Sequence, residues 1–179
     1  EILNTIVTNV IKMITERGYL EKTNLNENIK KYRESSPDDF TYKIPIQFKK
    51  FKNFVFKIVH HNITTINKSS GISDFLHKYK NTINMLIVVD ASKKARNDVY
   101  MNFQNSQVFL KKELMINIVE HNLVPQHILL DEKTKDSFYD TYNTKKSNML
   151  KINYTDPIAK YYNARPGNIF KIVRPSGTS

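Results

Sequence analysis

The stretch that decides the fold is T-D-P-I-A-K-Y-Y-N-A-R-P-G-N-I-F-K-I-V-R-P-S, Thr155 to Ser176. Each residue in it has a local backbone reason. Thr155 or Asp156 can cap a helix, and Pro157 suits the first helical position, where its missing N–H needs no partner. Ile158 to Tyr162 make a short helical turn, and Asn163 tolerates the left-handed conformation that ends it. Arg165-Pro166-Gly167 reads as a tight turn, with proline fixing φ and glycine free to take positive φ. Asn168 to Arg174 then alternate into a strand, and Pro175 stops its ladder. Helix, turn and strand in so short a space make a compact unit rather than a linker.

Upstream of this unit the same style of reading continues. Leu123 to Leu130 is expected as a strand, and Asp131 to Tyr142 as a helix capped by Asp131, with Phe138 and Tyr142 on one face. With Met149 to Ile152 and the terminal unit, this makes a self-contained β-α-α-β arrangement. Its start places a domain boundary near Glu120 and His121, giving domains 1–120 and 121–179.

The first domain opens on the clearest helix of the chain. Ile2, Leu3, Ile6, Val7, Val10, Ile11 and Ile14 recur at helical spacing over Glu1 to Arg17, and Gly18 stands where a C-terminal glycine belongs. Lys22 to Arg33 is a polar second helix with a thin stripe of Leu25 and Ile29. Ser35 to Asp39 is turn chemistry, with Ser36 a candidate cap ahead of Pro37. Phe54 to His61 alternates as a strand, Ile72 to Tyr79 reads as helix, and Met85 to Asp90 is an apolar run suited to the middle of a sheet. Val108 to Leu110 and Leu114 to Val119 are further strand candidates; Lys111-Lys112-Glu113 leaves the join between them open, with a helix ending at Met115 as the alternative. The class is α+β.

Composition narrows the function. The chain has 179 residues, no Cys, and a formal net charge of +11. Without cysteine there is no disulfide scaffold and no thiolate metal site, which fits a reducing compartment. No apolar run is long enough to span a bilayer, so no membrane partner is expected. The positive charge implies a polyanion or acidic protein surfaces as partners. Its carriers are mostly lysine, which suits phosphate contact better than bidentate base reading. An A+T-rich genome, inflating Lys, Asn and Ile, is the bland alternative source of this excess. The chain begins at Glu1 without methionine, so its native start is expected outside this sequence.

The order D-P-I-A-x-Y followed by R-P-G-x-I-x-K-I-x-R-x-S resembles the C-terminal signature of the small subunit shared by the three eukaryotic nuclear RNA polymerases. That family has an archaeal counterpart as well. The matching positions are Asp156, Pro157, Ala159, Tyr161, Arg165, Gly167, Lys171, Ile172, Arg174 and Ser176. H-N-L-V-P-Q-H, His121 to His127, is similar to a second block of that family, and T-E-R-G-Y-L, Thr15 to Leu20, is a weaker third match.

The resemblance implies an N-terminal jaw domain with a nuclease-like α/β sheet and a small mixed α/β C-terminal assembly domain. It implies docking on the largest polymerase subunit and the small shared subunit beside it. Leu123, Val124, Pro125, His127, Asp156, Pro157, Arg165, Gly167, Lys171 and Arg174 are the candidate partner-binding residues. Lys171 shares its strand face with Ile169 and Val173, as a docked face would; a snorkelling surface lysine is the alternative. The family continues with a further strand where this chain stops at Ser179, so the edge beside Ile169 to Val173 is expected to be covered by a partner. The residue bias and shortened end fit a giant DNA virus or an A+T-rich eukaryote. The expected location is the nucleus in a cell, or host cytoplasm or virion for a virus.

The second candidate site is Ala91 to Asn97. A buried strand would deliver it as a basic loop, and Ser92, Lys93, Lys94 and Arg96 are donors suited to phosphate oxygens. By resemblance this loop approaches the downstream double-stranded DNA; a solvated charged loop is the alternative. Lys49, Lys50 and Lys52 form another cluster, better read as a solvated turn.

Enzymatic readings fare worse. Asp90-Ala91-Ser92-Lys93 is similar to a metal-dependent nuclease motif, with Pro37-Asp38 as its first carboxylate. Two residues separate Asp90 from Lys93, however, so the pair cannot share a strand face. Adjacent His60 and His61 would point to opposite faces, and no phosphate loop or serine elbow is present. No catalytic residue, metal or cofactor is therefore expected. A Mg²⁺-dependent nuclease and a free-standing, non-specific DNA-binding module remain the alternatives.

Overall fold

The computed structural model describes residues 1–66 and 71–174. Pro175 and Ser176, read above as the ladder stop and the last motif position, lie outside them. The fold is α+β, and the chain divides into two compact units, Glu1–Ile116 and Asn117–Ser179.

In the first unit, helix α1 (Ile2–Glu16) buries Ile6, Val7, Val10, Ile11, Met13 and Ile14 along one stripe. It ends in a Schellman motif: Tyr19 N donates to Ile14 O, and Gly18 N donates to Thr15 O. Gly18 has φ +74°, which a Cβ would strain. Helix α2 (Leu25–Glu34), preceded by a 3₁₀ turn at Lys22–Asn24, buries Tyr32. The segment after it is a turn and not a helix start, so Ser36 caps nothing. Phe40 N instead closes back on Pro37 O, and Asp39 accepts from Thr41 N.

The sheet has the order β1-β2-β3-β4, from β1 (Thr41–Phe48), β2 (Phe51–Ile58), β3 (Ile83–Val88) and β4 (Ser106–Leu110). β1 and β2 form an antiparallel hairpin, while β2, β3 and β4 run parallel. β1 is absent from the sequence reading. It lies at the edge, where Pro45 is tolerated and exposed Lys43 discourages further pairing. Every residue of the inner strand β3 is buried.

Helices α3 (Ile72–Lys78) and α4 (Lys93–Asn102) are the two parallel crossovers. Phe75, Leu76, Ala95 and Val99 pack with Val55, Val59, Leu86 and Val88 of the sheet in one cluster. The opposite face carries Tyr42, Ile44, Phe54, Phe56, Met85, Ile87 and Phe109, all buried. Tyr42 and Phe56 stack there at 4.5 Å, and Tyr19, just past α1, meets Phe48 and Phe54.

Two further expectations fail. Leu114 to Val119 is not a strand. The Glu113 carboxylate accepts from Leu110 N at 2.7 Å and tightens Lys111–Leu114 into a 3₁₀ turn. The Leu114 carbonyl then takes its donor from the Asn9 side chain, not from a ladder. The second failure is the Ala91–Asn97 loop, which is largely the start of α4.

The second unit is a two-stranded antiparallel sheet with two helices. Its elements are β5 (Gln126–Leu129), α5 (Glu132–Thr141), α6 (Pro157–Tyr161) and β6 (Phe170–Val173). The β-α-α-β order matches the sequence reading, though both strands are shorter than expected and 149–152 has no regular structure. Among the described residues no helix is long and apolar enough to cross a membrane.

Candidate functional site

Ser92 begins α4 and does not sit on a projecting loop. Its Oγ accepts from Ala95 N at 3.0 Å and donates to Thr64 O at 2.6 Å. Its own N–H donates to Ile63 O, and Ile63 N donates to Asp90 O. The serine is thus spent on capping and on tying this segment to residues 63–64. It is not an idle phosphate donor, and the reason is the helix that Ala95, Val99 and Phe103 anchor on the sheet.

Lys93, Lys94 and Arg96 are exposed, and none makes an ion pair among the described residues. The first turn of α4 carries no acid. Cations at a helix N-terminus oppose the helix dipole, typically by about 0.3–1 kcal/mol each. Their presence therefore costs stability, while adding to the positive potential of the free N–H groups.

The nuclease arrangement does not assemble. The Asp90 carboxylate accepts from Ala91 N, and among the described residues no three His, Asp or Glu side chains could hold a metal ion. Lys49 and Lys50 form the β1–β2 hairpin turn, each near the ring of a neighbouring phenylalanine. His77 packs edge-on against Phe103.

A contact that sequence reasoning missed joins the ends of β2 and β4. The Lys111 Nζ lies 3.1 Å from His60 Nδ1. An ammonium only donates, so His60 is neutral here with Nδ1 as acceptor. Burial first, then Lys111 and His61, hold the His60 pKa below its ordinary value. Nothing in the one-dimensional pattern links positions 51 residues apart.

In the second unit the predicted residues divide by role. Asp156 accepts from Ile158 N at 2.8 Å and Pro157 occupies the first turn of α6. α6 closes with Ala164 N on Ala159 O and Asn163 N on Lys160 O, with Asn163 at φ +52°. Asn168 N donates to Arg165 O, and Gly167 at φ +95° completes a turn of the Pro-Gly type. His121 Nδ1 accepts from Leu123 N, while His127 Nδ1 donates to Pro125 O at 2.6 Å. Asp156, Pro157, Arg165, Gly167 and His127 are thus built into the framework.

Leu123, Lys171 and Arg174 are exposed; Val124 and Pro125 are half-buried. The face of Lys171 is buried only at its start: Ile169 is 6% exposed and Val173 41%. Ile128, the partner of Lys171 across the ladder, is exposed as well. Tyr142, Leu150, Ile152 and Tyr154 also stand in solvent, Leu150 entirely so. For Leu150, Ile152 and Tyr154 the signal in the sequence was the alternation of L-K-I-N-Y, which has no regular pairing in the structure.

Residues 116–179 match the family model described as RNA polymerase Rpb5, C-terminal domain. The C-terminal unit, Asn117–Ser179, is thus similar to the Rpb5 C-terminal domain. Relatives of the chain include a Caenorhabditis briggsae protein named DNA-directed RNA polymerases I, II, and III subunit RPABC1. It is 42% identical over 71 residues, 40% of this chain and 34% of that protein. A Dictyostelium discoideum protein of the same name is 44% identical over 71 residues, 40% and 36% of the two chains. An Acanthamoeba polyphaga mimivirus protein named DNA-directed RNA polymerase subunit 5 is 29% identical over 126 residues, 70% of this chain and 60% of that one. The chain therefore spans about a third of the length of its animal and amoebal relatives.

Proposed function

We propose that the chain is a non-catalytic subunit of a multisubunit DNA-directed RNA polymerase. The Rpb5-type domain docks on the largest subunit and on the small shared subunit beside it. The N-terminal unit, acting as a jaw, reaches downstream double-stranded DNA through Lys93, Lys94 and Arg96 at the start of α4. Nucleotide addition takes place on another subunit. The nucleus, or host cytoplasm and virion for a virus, is the corresponding location.

The observation that carries the reading is the Rpb5-type domain itself, together with the apolar side chains it leaves in solvent. Leu123, Ile128, Leu150, Ile152, Tyr154 and Val173 are too many to be scattered accidents on so small a unit. Tagged chain expressed in its source should co-purify with the large polymerase polypeptides, and Arg174→Glu should reduce that recovery. Recovery of the chain without them would sink the docking role. For the jaw, changing Lys93, Lys94 and Arg96 to Ala should lower the salt dependence of duplex retention by about 0.9 in log–log slope per lost phosphate contact. Mg²⁺-dependent cleavage of DNA by the purified chain would favour a nuclease instead.

A further inference from the structure

Three parallel strands bring their carboxyl ends to one edge of the N-terminal sheet. β2 is followed by His60 and His61, β3 by the start of α4, and β4 by Lys111 and Lys112. β3 lies between β2 and β4, so the Lys111 contact with His60 passes over the end of the central strand. By strand alternation His60, Val89 and Lys111 continue the face of Phe56, Ile87 and Phe109, opposite to the face that α4 covers.

The acids of this edge are engaged locally. Asp39 accepts from Thr41 and pairs with Lys57 at 3.3 Å. Asp90 accepts from Ala91 N, and Glu113 from Leu110 N. Lys111, Lys112, His60 and His61 make no ion pair with any carboxylate among the described residues. The Phe40 ring, 4.5 Å from that of His60, backs the imidazole. The Lys111 ammonium, its pKa lowered by burial, is thus held against a group that becomes cationic on protonation. An anion between them would relieve the repulsion that protonation creates.

We propose that His60, Lys111 and Lys112 form a second phosphate contact for double-stranded DNA, on the α1 side of this edge. The proposal rests on the jaw reading above and adds residues from two further strand ends to it. Cations spread across one edge on both faces suit a polyanion with many phosphates better than a single acidic side chain. Phosphate displaces Lys111 from the His60 lone pair, the imidazole takes up a proton, and both groups then donate to phosphate oxygens. Lys111 and His61 are the basic groups that face His60, and Asp39 nearby is paired with Lys57. Binding should therefore take up a proton and strengthen as pH falls towards the His60 range.

The test uses the full chain and a short duplex of arbitrary sequence at low ionic strength. Affinity is followed by fluorescence anisotropy across a salt series, and the His60 imidazole by NMR, which registers contacts too weak for anisotropy. Lys111→Ala with Lys112→Ala should lower the salt slope by about 0.9 per lost contact. His60→Gln should keep most of that slope but flatten the affinity change between about pH 5.5 and about pH 7.5. The duplex should move the His60 ring signals and raise the pH at which they titrate. An unchanged slope in the Lys111/Lys112 variant, with a reduced slope in the Lys93/Lys94/Arg96 variant, overturns this contact and leaves the jaw reading standing. Unchanged slopes in both variants overturn the jaw reading and this contact together. A His60 ring untouched by saturating duplex overturns the contact whatever the slopes. Circular dichroism confirms that each variant is folded, and Lys111→Gln with Lys112→Gln repeats the test should the alanine pair unfold.

Discussion

The N-terminal unit keeps its large apolar side chains inside, sandwiching a sheet between helices, and presents lysine to solvent. The C-terminal unit does the reverse with several of its own. Phe54, Phe56, Met85 and Leu86 are wholly buried in the first, while Leu123, Leu150 and Tyr154 stand in solvent in the second. The larger unit has enough core to fix its shape by burial. The smaller one relies on caps and turns at Asp156, Asn163 and Gly167 and leaves several apolar groups in solvent. On the function proposed above, contact with nucleic acid and contact with protein call for different surfaces, and the two units would divide them accordingly.

The sharpest way to break this comparison is to cut the core. Phe56→Ala should destabilise the N-terminal unit by about 3–5 kcal/mol, read by denaturant unfolding. A value near zero would mean that burial does not hold this unit. Gly167→Ala should cost about 1–2 kcal/mol in the C-terminal unit, because a Cβ is unfavourable at that φ. If its stability is unchanged, the turn is less rigid than its geometry implies. Asp156→Ala removes the α6 cap and should cost about 1 kcal/mol, with recovery in Asp156→Asn.

Leu150→Ala should sharpen the contrast from the other side. Fully exposed, it should change stability by less than about 0.5 kcal/mol while lowering recovery of large polymerase polypeptides in a pull-down. The smallest effect belongs to His60. Its folded-state pKa is depressed, so the unfolded chain binds the proton more readily. Stability is then unaffected above the unfolded value of about 6.5 and falls as pH drops below it. His60→Gln should remove that part of the acid loss, seen as a shallower decline in melting temperature between about pH 6.5 and about pH 5.

Where the chain explains itself locally, its reading survives folding. The caps at Asp131 and Asp156, the left-handed Asn163 and the Pro-Gly turn are short-range devices, and each is found at its expected position. α1 was legible for a related reason: a long helix that buries one stripe must repeat its apolar residues at helical spacing. α4 was not, because it buries only Ala95 and Val99 and its other residues read as a charged loop. β1 was missed because Pro45 masks a strand that only an edge position permits.

By itself, then, the amino-acid order determined the terminal unit, the class of the fold and the abundance of positive charge, all set by neighbours within a few residues. Which cations meet, and which apolar groups stay in water, was decided by strand order. His60 and Lys111 share an edge because β2 and β4 flank β3 in parallel, and Ser92 is spent on Thr64 because their segments pair. Such contacts join residues far apart in the chain, and only the packing of the sheet determines them.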